Sequence, residues 1–221
     1  MGKLLIKYAS KSRPKRMLLV LNSILKNINN PKNVVIVLSI TKTDNLTYNK
    51  QVISQIQALQ AKHKNIRVFT SNSSSKIEAY NKDIESIEDW DYLLPVSDYT
   101  EICLKGFDTA IIDYFKNKFI PGLTPTDMHL FKSVNSNGKN LHYLPVLIRT
   151  QYEQRGFLYN PLLKANYQLD ELLLNYNKKE TPVSFHRYVH PKWLYFNPDQ
   201  QLTANILFWK KDLATFEKLK G

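Results

Sequence analysis

A single cysteine, Cys103, serves all 221 residues, so no internal disulfide forms and no cysteine-based zinc site is available. No His-Glu-x-x-His pattern takes its place, which sets zinc hydrolysis aside. Glycine is also scarce, with 6 residues in the chain, and none sits where a phosphate-cradling loop needs one. The first apolar segment runs into Ser10-Lys-Ser-Arg-Pro14, without the glycines of a dinucleotide fingerprint or a Walker loop. A Gly-x-Ser-x-Gly elbow is missing too, so a serine hydrolase of that type has no support. Apolar runs such as Val34-Val-Ile-Val-Leu38 fall far short of the roughly 20 residues that cross a bilayer. Leu4-Leu5-Ile6 before Lys7 is too short for the core of a secretory signal. These absences predict a chain with no transmembrane segment in a reducing, cytoplasmic setting.

Negative charge is the remaining deficit. Against 31 Lys and Arg stand 19 Asp and Glu, a net charge of +12, and a field of that sign attracts polyanions such as nucleic acid, an anionic membrane face or a pyrophosphate. The lysines are scattered, with Lys11-Ser-Arg13-Pro-Lys15-Arg16 the one dense block. The same charge also suits a solubilising lysine-rich surface. With 43% hydrophobic and 23% charged residues, the composition is that of a globular protein with a real core, and the length fits one domain.

Periodicity orders the first half. Lys3 to Ala9 reads as a strand. A helix follows from Pro14, with Met17, Leu18, Leu21, Ile24, Leu25 and Ile28 at helical spacing, until Asn29-Asn30-Pro31 ends it. Val34 to Ile40 is a β-branched run suited to a strand buried on both faces. Val52, Ile53, Ile56 and Leu59 mark a second helix, Ile66 to Phe69 a third strand, Lys76 to Ile87 a short helix and Asp91 to Val96 a further strand. Such alternation predicts an α/β fold with a mostly parallel sheet, flanked by helices through right-handed crossovers. Phe107 to Phe115 is helical in pattern. Beyond Pro121-Gly122 the texture turns irregular, with apolar bursts at Leu141–Ile148, Tyr152–Tyr159 and Leu169–Leu174, a polar run at 175–180 that predicts a mobile loop, and a final helix over Thr203–Leu219.

Chemistry gathers at Asp91-Tyr-Leu-Leu-Pro-Val-Ser97-Asp98-Tyr99-Thr100-Glu101, where an apolar strand stops at acidic and hydroxyl groups. Ligands of α/β sheets collect at the carboxyl ends of strands; an ordinary polar turn has the same composition. Ser10-Lys-Ser-Arg13-Pro14 after the first strand, Asp44 after the second, Lys76 and Asn81 before the acidic strand, and Ser97-Asp98-Tyr99 at its end fall in a familiar order. So do Arg155-Gly-Phe-Leu-Tyr159-Asn-Pro161, Asp170-Glu171, Val189-His190-Pro191-Lys-Trp193, and Asp199, Asn205, Asp212 and Phe216 towards the end. In these places the chain resembles the nucleotide-sugar glycosyltransferases of the A-type fold, of the bacterial and phage type. Each motif is short, and their order over nearly the whole chain carries the resemblance.

The resemblance implies a single domain, with residues 1–120 binding the nucleotide sugar and 121–221 forming the acceptor side and closing helix. It implies transfer of a sugar from a nucleoside-diphosphate donor, most commonly uridine-linked, to an acceptor hydroxyl, with Ser10, Arg13, Asp44, Lys76, Asn81, Ser97 and Asp98 on the donor. A diphosphate leaving group needs positive charge, from a divalent cation or from fixed groups. Manganese or magnesium suits oxygen ligands, with Asp98 and His190 as ligands. Tyr99 departs from the family's second aspartate, and Glu101 or Ser97 is a candidate to compensate. An inverting transfer, the preferred outcome, calls for a carboxylate base; Asp170 and Glu171 are the candidates, Glu171 ahead. For the acceptor, a hydroxymethylated base in phage DNA suits the positive charge, with the host cytoplasm as location. A surface polysaccharide or glycan, with the basic face against an anionic membrane, is the alternative. A nucleic-acid-binding protein with the same fold and no chemistry is the reading from another class.

Overall fold

Seven consecutive buried residues make up β1 (Leu4–Ser10), and a strand that buries both faces belongs inside a sheet. The computed structural model describes residues 2–118, 127–133, 143–189 and 200–220. In it β1 lies between β2 (Val34–Thr41) and β4 (Tyr92–Val96), parallel to both. Outside β2, β3 (Ile66–Ser71) also runs parallel. The links are α1 (Pro14–Asn27), α2 (Lys50–Lys62) and α3 (Lys76–Asn81). Pro14 opens α1, where its fixed φ and missing N–H do no harm. Pairing of Ser10 with Ile40 and of Tyr8 with Val96 brings the carboxyl ends of β1, β2 and β4 to one edge.

The second half adds β5 (Thr100–Ile102), α4 (Phe107–Lys118), β6 (Asp127–Ser133), β7 (Tyr143–Ile148), α5 (Arg149–Arg155), α6 (Gln168–Leu172), β8 (Asn177–Tyr188) and α7 (Gln200–Lys220). β7 joins antiparallel to β4, and the sheet order is β3-β2-β1-β4-β7-β6-β8-β5. The result is the α/β sheet with helical flanks that the sequence predicts. Alternation along β1 feeds two cores: Leu4, Ile6 and Tyr8 pack with α1 and α4, and Leu5 and Ala9 with α3, α5, α6 and the Phe216 end of α7. Among the described residues no helix is long and apolar enough to cross a membrane.

Two expectations need correction. The polar run predicted as a loop at 175–180 instead opens β8, parallel to β6 from Asn177 opposite Asp127. Cross-strand polar pairs replace the apolar pattern there: Glu180 bridges Lys132 (2.5 Å) and Lys178 (3.0 Å) and accepts from Tyr143 Oη (2.8 Å). The helix expected to reach Ile87 stops at Asn81. Asn81 Nδ2 donates to the Tyr159 carbonyl (2.7 Å) and its Oδ1 accepts from Tyr159 N–H (2.8 Å), while the Lys82 carbonyl accepts from the buried Lys7 Nζ (2.6 Å). Those long-range bonds hold the chain extended where periodicity alone would continue the turn.

Candidate active site

Asp98 follows β4 and is buried at 2% exposure. Tyr8 Oη and Ser10 Oγ, two residues apart on β1 and so on the same face, both donate to its Oδ1 at 2.7 Å. Arg16, one turn into α1, donates through Nε (3.1 Å) and Nη2 (3.0 Å) to the Asp98 carbonyl. Burial pushes the Asp98 carboxyl above the usual carboxylate range, against the two hydroxyl bonds and the charges of Arg13 and Arg16. Burial, reinforced by Asp98, also raises the Tyr8 phenol well above its ordinary value, so Tyr8 stays a donor.

The loop after β1 is held by the loop after β2. Ser12 adopts φ +61°, a left-handed conformation that favours glycine. Asp44 fixes it, accepting from Ser12 N–H (2.5 Å) and Ser12 Oγ (3.2 Å) while itself 4% exposed. Arg13, next in the chain, then reaches the strand edge with its guanidinium 4.9 Å from the centroid of the Tyr99 ring, a cation–π contact. The tyrosine in the place of a second carboxylate is thus a shelf for an arginine. Lys76 opens α3 on the other side. Burial brings its ammonium down to about 8, Asp98 acting to raise it and Arg13 to lower it further.

Two openings flank this group. One is a cavity of about 280 Å³ reached by Lys76, Ser97, Tyr99, Thr100, Tyr159, Gln168, Leu169 and His186. The other is a slot of about 50 Å³ beside Ser10, Lys11, Thr41, Ser73, Lys76 and, from α7, Asn205 and Phe208. Lys76 lines both. Ser10, Arg13, Lys76, Ser97 and Asp98 therefore meet at one edge. Asp44 acts on that edge through Ser12, and Asn81 is occupied with Tyr159.

The two carboxylates of α6 differ. Glu171 is buried and accepts from Arg155 Nη2 with both oxygens, at 3.0 and 2.7 Å. Asp170 is exposed, and neither side chain lines the 280 Å³ cavity, which Gln168 and Leu169 of the same helix do line. His190 lies outside the described residues. Among the described residues no three His, Cys, Asp or Glu side chains cluster as a metal site. Sequence reasoning assigned no site role to Tyr8, Arg16, Thr100 or His186. Tyr8 and Arg16 carried a signal in their two- and three-residue offsets from Ser10 and Arg13. His186 carried none: a register shift between β6 and β8, from Phe131–Thr181 to Ser133–His186, brings it to the cavity.

No protein-family model and no curated protein matches this sequence. Solved structures do. Residues 1–349 of S. aureus TarS superpose with a TM-score of 0.64 at 13% identity, over 96% of this chain and 71% of that one. The same fragment in complex with UDP-GlcNAc gives 0.68 at 14%, over 92% and 61%. This chain has the A-type glycosyltransferase fold. The mannosyltransferase PcManGT from Pyrobaculum calidifontis, in complex with GDP-Man and Mn2+, shares it with a TM-score of 0.65 at 10% identity, over 86% of this chain and 57% of that one. In a fold of this kind the carboxyl ends of β1, β2 and β4 are the expected ligand edge.

Proposed function

We propose that this protein is a glycosyltransferase that moves a sugar from a nucleoside-diphosphate donor to an acceptor hydroxyl. The observation that carries the proposal is the strand edge where Asp98, fixed by Tyr8 and Ser10, meets Arg13, Arg16 and Lys76. Cations gathered round one buried carboxylate suit a diphosphate. In the transfer the acceptor oxygen bonds to the anomeric carbon as the bond from that carbon to the phosphate oxygen breaks. The electron pair leaves with the nucleoside diphosphate, where Lys76 and Arg13 offset the developing charge. The acceptor proton passes to a carboxylate, with Glu171 or Asp170 as base for an inverting outcome. The TarS complex with UDP-GlcNAc supports a uridine-linked donor.

A divalent cation, Mn2+ or Mg2+, fits Asp98 in one respect: Tyr8 and Ser10 converge on Oδ1 and fix the carboxylate's orientation. Asp98, with His190, would hold the ion, which when bound neutralises phosphate charge; the Mn2+ in the PcManGT complex supports this assignment. For the acceptor, the charge of +12 favours a polyanion, and a hydroxymethylated base in DNA is the proposed class. The test is release of sugar from a panel of nucleotide sugars, with and without Mn2+ and DNA. Turnover of one donor, faster with modified DNA and suppressed by salt, is the expected result; a chain that binds DNA and hydrolyses no donor would be a binding protein instead.

A further inference from the structure

The 50 Å³ slot is built from two parts of the chain far apart in sequence. Its floor is small side chains at the strand ends and on α3: Ala9, Thr41, Ser73 and Ala79. Its outer wall is the first half of α7, through Asn205 and Phe208. Both are half-buried, while Ile206, Leu207 and Trp209 around them are exposed.

One segment, 164–166, sets the distance between these walls. Asp212 of α7 is fully buried and accepts three main-chain N–H groups, from Lys164, Ala165 and Asn166, each at 2.9 Å. Asn166 Nδ2 then donates to the Asn205 carbonyl (3.0 Å). The Lys164 carbonyl in turn accepts from Ile77 N–H (3.1 Å), in the first turn of α3. Floor and wall are thus clamped to the same three residues, with Tyr167 stacked on Phe216 at 5.2 Å beyond them. A slot clamped in this way has a set width.

We infer that α7 forms the outer wall of the nucleobase site, and that Phe208 and Asn205 select a pyrimidine diphosphate over a purine diphosphate. This rests on the donor reading above and assigns α7 a role within it. The slot shares Ser10 and Lys76 with the phosphate edge, so a nucleotide whose diphosphate lies at Lys76 carries its base into the slot. In this assignment a flat single ring lies between Phe208 and the small side chains of Ala9 and Ala79. Uracil presents acceptor, donor and acceptor along one edge, and the hydroxyls of Thr41 and Ser73 and the Asn205 carboxamide are groups that both donate and accept. A slot of about 50 Å³ favours a single ring over the larger fused double ring.

Titration calorimetry with UDP and GDP on the full chain tests this. The wild type is expected to bind UDP at least about tenfold more tightly than GDP. Base–aromatic stacking of 1–3 kcal/mol predicts that Phe208→Ala weakens UDP by about tenfold and narrows its lead over GDP. Phe208→Tyr keeps the face and should keep the affinity. Asn205→Ala, which leaves in place the main-chain carbonyl that Asn166 holds, should also weaken UDP. A wild type that binds UDP with unchanged affinity in Phe208→Ala and Asn205→Ala would overturn the role of α7 and leave the transferase reading standing, and so would a preference for GDP. A wild type that binds neither nucleotide would overturn both.

Discussion

Lys76 gives the sharpest test of how the donor is held. Burial places its ammonium near 8, so about nine-tenths is charged at pH 7, half at pH 8 and a tenth at pH 9. A diphosphate against it opposes that shift. At about 4 Å and an effective dielectric near 20, each unit of negative charge contributes roughly 4 kcal/mol before screening, enough to keep Lys76 protonated in the complex well above pH 8. Binding then takes up a proton as pH rises past 8. Measured against Lys76→Arg, which shares the titrations of UDP itself, affinity for UDP should change little below pH 7.5 and fall about tenfold per unit above 8, close to a hundredfold by pH 10.

Calorimetry of UDP binding across pH 6.5 to 10 measures this directly, and buffers of different ionisation enthalpy count the proton. The uracil N–H also ionises in the alkaline range, so Lys76→Arg is the control. It keeps the positive charge at every pH, and should retain affinity while losing the slope assigned to Lys76. Lys76→Met should lose both. If wild type and Lys76→Arg show the same slope, or if the wild-type curve is flat to pH 10, the diphosphate does not rest on Lys76.

Asp98→Asn should lower transfer by about a hundredfold or more, as loss of a ligand to a charge-neutralising cation would. It should also raise the melting temperature, because a carboxyl whose folded pKa is raised costs stability once ionised; differential scanning calorimetry reads that term. Glu171→Gln removes one partner of a buried ion pair and should cost about 3–5 kcal/mol in urea unfolding, whereas Asp170→Asn, at an exposed position, should cost under about 0.5 kcal/mol. Comparing turnover in the two folded variants then tests the assignment of the base. Lys7 is fully buried and held near 8 chiefly by burial. The unfolded chain binds more protons between pH 8 and 9.5, so stability should rise across that window, and Lys7→Met should flatten the rise.

The parallel half of the sheet was readable because β1, β2 and β4 are buried on both faces, which leaves continuous apolar runs, and because α1 and α2 keep helical spacing. What periodicity could not supply is held by long-range polar contacts. The start of β8 has no apolar pattern and depends on Lys132, Tyr143 and Lys178 meeting Glu180. The end of α3 is set by Tyr159 and Lys7. The strand-end residues fall together because a parallel sheet aligns the ends of its strands, a rule of topology rather than of any one residue. Position alone offers Glu171 as a base, and a sequence gives no sign that Arg155, sixteen residues earlier, holds both its oxygens.

The electrostatics of the edge bear on the proposed ligand. Burial disfavours the charged form of Lys76 and of Asp98 alike, and both shifts run that way despite the opposite charge nearby. Neither group is at ease in the free protein. A diphosphate alone relieves Lys76 and Arg13 but works against an ionised Asp98. A divalent cation alone relieves Asp98 and works against the arginines. Only the two together satisfy both, so diphosphate and cation should strengthen each other's binding by the same factor. On the proposed reading Asp98 carries this coupling, so Asp98→Asn should still bind UDP in calorimetry and should lose the gain in affinity that Mn2+ gives the wild type.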